Sequence, residues 1–172
     1  IGIIGGGPAG LMAAEVLASA AHQVTVFEAM PTVGRKFLMA GKSGLNLTHA
    51  EPHEAFLTRF GTATSRLQPA LDAFTGTDAR NWATGLGQET FVGSSGRVFP
   101  TSMKGSSLLR AWLARLEGQG VDILTRHRWV GYAGPEFAPS SAPSGHLLPR
   151  GEKGAIERMQ RRAADGASRA PL

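Results

Sequence analysis

Cysteine is missing from this sequence, which excludes disulfides, thiolate metal sites and cysteine nucleophiles together. Aromatic residues are scarce at 7%, with one tyrosine, and charged residues reach only 18%. No apolar run approaches the roughly 20 residues a bilayer span needs, and the opening Ile-Gly-Ile-Ile lacks the basic flank of a signal peptide. Neither a membrane span nor an export signal is supported, and a cysteine-free chain fits the cytoplasm. The sequence also has no G-x-S-x-G elbow, no G-x-x-x-x-G-K-[ST] loop and no H-E-x-x-H pair. His49 and His53 stand four apart, but Pro52 lies between them, so no metal site is expected. What remains is 172 residues, 42% hydrophobic, enough for one domain with its own core.

The net charge of +5 is unevenly placed. Residues 1–125 hold 10 Lys and Arg against 9 Asp and Glu, whereas residues 126–172 hold 8 against 4. The basicity therefore belongs to the end of the chain, as a solvated tail or as a patch for nucleic acid. Composition shifts near Tyr132: of the 40 residues 133–172, 22 are Ala, Gly, Pro or Ser. Such a segment cannot offset its ordering entropy, so disorder is expected there, with one short helix over 152–164. Arg158, Arg161, Arg162 and Arg169 could there meet an acidic partner or RNA, which leaves a non-catalytic binding module as one alternative. The chain begins at Ile1, inside what reads as a strand, and is expected to be a piece of something longer.

Between residues 1 and 132 the pattern is α/β. A short apolar run over 1–4 leads into glycines, a helix is expected over 8–20, and a strand over 23–28. A third strand is expected over 121–125, after a helix whose Leu108, Leu109, Trp112, Leu113 and Leu116 share one face. Residues 29–120 number 92, far more than a plain crossover requires, so an insertion separates the second strand from the third. Within it, helices are expected over 51–60, 67–74 and 77–86, and a hairpin pairing 90–92 with 97–99 around Gly93-Ser94-Ser95-Gly96. Trp82 and Trp112 fall on apolar helix faces and are expected in the core.

Gly5-Gly6-Gly7-Pro8-Ala9-Gly10 fits the dinucleotide fingerprint G-x-G-x-x-G through Gly5, Gly7 and Gly10. The first glycine allows the tight turn, the second lets the backbone approach a pyrophosphate, and the third permits close helix packing. The amides of the helix start, with Pro8 and Ala9 in its first turn, would hold the diphosphate. Glu28 ends the second strand 18 residues after Gly10, where a carboxylate accepts from both ribose hydroxyls and repels a 2′-phosphate. The fingerprint alone does not separate FAD from NAD. The long insertion, opening with a segment 30–48 rich in Gly, Lys, Arg, Ser and Asn, favours the longer FAD.

Three stretches in order, IIGGGPAGLMAAE, VTVFEAMPTVGRKFLMAGKSGLNLTHAEP and SSGRVFPTSMKGSSLLRAWL, resemble the BaiN/RdsA-like flavoproteins, over roughly residues 1–132. The resemblance implies a Rossmann-like FAD-binding domain of the glutathione-reductase type, here incomplete, with a helical and hairpin insertion. It implies that Gly34-Arg35-Lys36 lies beside the ribose and diphosphate, where Arg35 and Lys36 would neutralise phosphates. It also implies that the loop Gly41-Lys42-Ser43-Gly44-Leu45-Asn46 runs to the flavin end, with Ser43 and Asn46 as neutral donors and Gly41 and Gly44 giving room beside a flat ring. This loop lacks the Arg and Cys of the commoner family form. Trp129 and Val130 match positions whose backbone meets the adenine, and Arg97 stands where it would face the active cleft or pair with a neighbouring acid. The implied activity is an FAD-dependent oxidoreductase drawing hydride from NAD(P)H and reducing an activated carbon–carbon double bond. The near-neutral body favours a small-molecule substrate over a uridine in ribosomal RNA, the alternative that the resemblance also offers.

Overall fold

The computed structural model describes residues 1–41 and 43–131. Lys42, the tail over 133–172 and the helix expected at 152–164 lie outside the described residues. The chain divides into two compact units, Ile1–Arg128 and Trp129–Leu172. The first carries all the architecture described below.

Parallel pairing needs long crossovers, and the first unit supplies two. Strand β1 (Gly2–Ile4) leads through the glycines into helix α1 (Pro8–Ser19), which returns the chain to β2 (Thr25–Glu28). The second crossover runs to β6 (Asp122–Thr125), completing a parallel sheet in the order β1-β2-β6. Ile3 stands opposite Val26, and Val26 opposite Ile123. Together with the crossover helices this is a Rossmann-like α/β fold. Helix α1 starts at proline, whose fixed φ suits the first turn, and it buries Leu11 and Ala14 completely.

The second crossover holds more elements than its sequence pattern announces. Helix α2 (Arg35–Ala40) and the two-residue strand β3 (Thr48–His49) come first. Helix α3 (His53–Thr58), a 3₁₀ turn at Gly61–Ala63, α4 (Thr64–Ala73) and α5 (Gly76–Gly85) follow. Strand β4 (Thr90–Val92) and β5 (Arg97–Pro100) form the expected hairpin, and β3 adds to its other side in the order β3-β5-β4. Helix α6 (Gly105–Gly118) closes the crossover. Helix α2 and β3 were not expected, since six and two residues are too few to show a period. Helix α3 is shorter than the expected 51–60 because Pro52 fixes its start. Helix α5 begins at a reciprocal capping box, in which Thr75 and Asp78 each accept from the other's backbone amide.

The core joins both crossovers. Leu108, Leu109, Trp112 and Leu116 of α6 pack with Leu11 and Ala14 of α1, Val24, Val26, Val33 and Leu45. Burying one such aliphatic side chain stabilises by about 1.5–3 kcal/mol, more than an exposed ion pair contributes. At the centre lies one charged group that composition and periodicity did not single out. Glu15 is only 9% exposed, on the core side of α1. Its Oε2 accepts from Trp82 Nε1 at 3.0 Å and Trp112 Nε1 at 2.6 Å, and its Oε1 accepts from Arg115 Nη1 at 2.8 Å. Trp112 is buried and Trp82 partly so, and their rings meet edge to face at 4.8 Å. Both tryptophans thus belong to the core as expected, and each needs an acceptor for its N–H there.

Two outcomes follow from this packing. Replacing Glu15 by alanine leaves two indole donors and a guanidinium without their acceptor, and urea denaturation should show a loss of about 3 kcal/mol. The Asp78 carboxyl is held below the ordinary carboxylate range, first by the Thr75 hydroxyl and then by the Thr75 amide. A depressed folded value means that the contribution is present at neutral pH and lost as pH falls below about 4. Melting temperatures of Asp78→Asn and wild type should therefore converge on the acid side, and a constant difference down to pH 3 would refute the link.

Candidate functional site

The glycine run after β1 is a tight, fully specified turn. Gly5 has φ +100°, a conformation that side-chain-bearing residues rarely adopt, and its amide extends the sheet by donating to Phe27 O at 2.8 Å. A Cβ on Gly10 would lie 1.9 Å from the Gly5 carbonyl oxygen, so only glycine lets α1 approach the strand end this closely. A Cβ on Gly6 would lie 2.4 Å from Val33 Cγ1. Gly7 differs from these three. Its φ of −81° is ordinary, and a Cβ there meets nothing within 4 Å. The fold gives no reason for glycine at this position, whereas a ligand lying against the backbone would.

Gly7 caps α1 without a side chain, and Pro8 has no N–H. The amides of Ala9 and Gly10 are left without a protein acceptor among the described residues, at the positive end of a 12-residue helix. This arrangement accepts an anion.

Glu28 ends β2 beside that turn, half-buried, and holds it in place. Its Oε2 accepts from Gly6 N at 2.8 Å and its Oε1 from Met30 N at 2.7 Å. Each oxygen has a second lone pair, so the carboxylate can still accept from a ribose hydroxyl. Gly34 N donates to Gly6 O at 2.8 Å, which brings the segment before α2 against the same turn. Gly34 itself, at φ +66°, fits under Leu109 of α6, whose Cδ2 lies 2.5 Å from where a Cβ would be. Gly5, Gly6, Gly7, Glu28 and Gly34 thus form one cluster, with Arg35 and Lys36 following at once. Both basic side chains are exposed and neither joins an ion pair among the described residues.

The other expected residues are more scattered. Ser43 and Asn46 are exposed on a segment tied to the hairpin sheet through Leu45 N to Met103 O at 3.1 Å and Leu47 N to Val98 O at 2.9 Å. Gly41 and Gly44 have reasons inside the fold. A Cβ on Gly41 would lie 3.0 Å from Gly105 N, and one on Gly44 2.7 Å from Met103 Cε. Arg97 is exposed and joins no ion pair among the described residues. Trp129 and Val130, both about half exposed, belong to the second compact unit, so they are not among the residues that the first unit brings together.

His49 and His53 have structural partners. His49 Nε2 donates to Ser95 O at 3.0 Å, its Nδ1 lies 3.4 Å from Glu51, and His53 Nε2 meets Asp72 Oδ1 at 2.7 Å. Glu51 is bridged by Nε and Nη2 of Arg59, which hold its carboxyl below the usual range. His49, Glu51 and His53 border a cavity of about 290 Å³ with Phe56, Thr75, Thr77 and Arg80. Among the described residues no group of three or more His, Cys, Asp or Glu could hold a metal ion, and no helix is long and apolar enough to cross a membrane.

The profile of the HI0933-like protein Rossmann domain matches residues 1–138. No curated protein matches the chain. Among solved structures, the crystal structure of THI4 from Thermovibrio ammonificans is similar at 18% identity, with a TM-score of 0.44, over 72% of this chain. The chain spans 37% of that protein's length.

The contrast between Gly7 and Gly10 is testable without any ligand. Gly10→Ala should cost at least about 3 kcal/mol, because backbone must yield to the new methyl. Gly7→Ala should cost less than about 1 kcal/mol, the scale of a changed N-cap. Equal losses in urea denaturation would mean that Gly7 serves the fold alone.

Proposed function

The chain belongs to the HI0933-like Rossmann-domain family, and from that premise we propose that it is the cofactor-binding portion of a flavin-dependent oxidoreductase with FAD as the resident dinucleotide. The open space beyond Gly7, beside two amides at a helix start, is the observation that carries this reading. The diphosphate lies against Gly7 and the Ala9 and Gly10 amides, where backbone donors need no rearrangement to meet negative charge. Glu28 takes the adjacent ribose and, being anionic, repels a 2′-phosphate. Arg35 and Lys36 reach the phosphates from the neighbouring segment, and Ser43 and Asn46 offer neutral hydrogen bonds farther along the cofactor. When bound, FAD supplies hydride transfer, and the protein supplies position and electrostatics.

The electron donor in this reading is NAD(P)H, and the acceptor is an activated carbon–carbon double bond in a small molecule. The nearly balanced charge over residues 1–125 supports a small substrate, since an RNA would need a basic surface to meet its phosphates. Ribosomal RNA lacking one dihydrouridine in a deletion strain would replace the small molecule by uridine, with the flavin chemistry unchanged.

Titration of FAD into variants of the full chain tests the assignment. Gly7→Val should abolish binding, because its side chain fills the space beside the diphosphate. Glu28→Ala should weaken binding about ten- to hundredfold, the scale of lost hydrogen bonds to a charged acceptor. Arg35→Ala should cost less, being exposed and screened. Tight binding by Gly7→Val, or a full-length protein that purifies colourless and takes up no FAD, would end the flavin assignment.

A further inference from the structure

We propose that Trp112 is a positioning residue that sets the spacing between the two halves of the dinucleotide site, the glycine turn with α1 and the segment bearing Arg35 and Lys36; the proposal rests on the dinucleotide reading above. Helix α2 has six residues, far too few to hold a helical conformation or a direction by itself. Its orientation comes from α6: Gly34 is seated against Leu109, Gly41 against the backbone of Gly105, and the Phe37 ring 6.1 Å from the Trp112 ring. Helix α1 is referenced to the same side chain from the other direction. Trp112 donates its N–H to Glu15 at 2.6 Å, about two turns along α1 from Gly7.

Trp112 is 1% exposed, and Trp82 packs edge-on against it at 4.8 Å, so the ring has no room to turn. One rigid indole therefore touches α1 through its N–H and α2 through its ring. Among the described residues the hydrogen bond that ties the two halves directly runs from Gly34 N to Gly6 O, beside the packing of Val33 on Gly6, and these contacts fix the base of α2 but not its direction. Among the described residues Arg35 and Lys36 have no ion pair to hold them toward a diphosphate. Their aim depends on the body of α2, and hence on the indole.

A positioning role differs from a merely stabilising one in its coupling to the residues positioned. The probe is ADP, titrated into the full chain as wild type, Trp112→Phe, Arg35→Ala/Lys36→Ala and the combined variant. Trp112→Phe keeps an aromatic ring and removes the N–H. It should weaken ADP about fivefold, the effect of one hydrogen bond, in the wild-type background and have almost no effect once Arg35 and Lys36 are gone. Phe37→Leu, at the partly exposed end of the same contact, should repeat that pattern with little risk to folding, and it decides the case if Trp112→Phe does not fold. Equal losses in both backgrounds, or ADP binding that Phe37→Leu leaves unchanged, would overturn the proposal. Failure of the wild type to bind ADP would instead overturn the dinucleotide reading, and this inference with it.

Discussion

The carboxylate of Glu15 organises three helices around one buried charge. Removing an ion from water costs several kcal/mol unless donors replace the water, and here three donors do so, from Trp82 on α5 and from Trp112 and Arg115 on α6. The donors are 67, 97 and 100 residues away in sequence. Each is specific in direction, whereas the aliphatic packing around them would tolerate small slides of one helix over another. The long crossover is thereby fixed against α1, the helix that begins at the glycine turn. A nonpolar residue at position 15 would pack, but the indole donors would then have to find other acceptors.

The glycine turn uses the same principle on a smaller scale. Its conformation is imposed by Glu28 on one side, by Val33 and Gly34 on another, and by the approach of α1 at Gly10. A turn held by its own protein has little entropy left to lose when a ligand arrives, and its amides are already aimed. Two of the four glycines at the turn, Gly6 and Gly10, are required by contacts within the chain, and Gly5 by its positive φ. Only Gly7 is left over, with nothing in the fold that requires a glycine there.

Two features that a sequence offers as candidates for ligand binding have partners inside the fold. Gly41 and Gly44 answer to Gly105 and Met103, and His49 answers to Ser95 and Glu51. Each would look equally functional in a sequence, since a glycine needed for a neighbour and one needed for a ligand are the same letter. The histidines are similar: a spacing of four suggests one helix face, yet His49 lies in a strand and His53 opens a helix.

The sequence by itself determined the parallel strands over 2–4, 25–28 and 122–125, the helices α1 and α6, the hairpin and the fingerprint from Gly5 to Glu28. All of these are encoded locally, by period, by glycine and proline, and by fixed spacing. The tertiary structure alone decided the existence of α2 and β3, the role of Glu15, and the gathering of Gly34 and Glu28 around Gly6. The reason is physical: a six-residue helix and a two-residue strand have no stability of their own, and they form where α6 and β5 offer a surface. An acid in the middle of an amphipathic helix likewise reads as a solvent-facing residue until its donors arrive from about a hundred residues away.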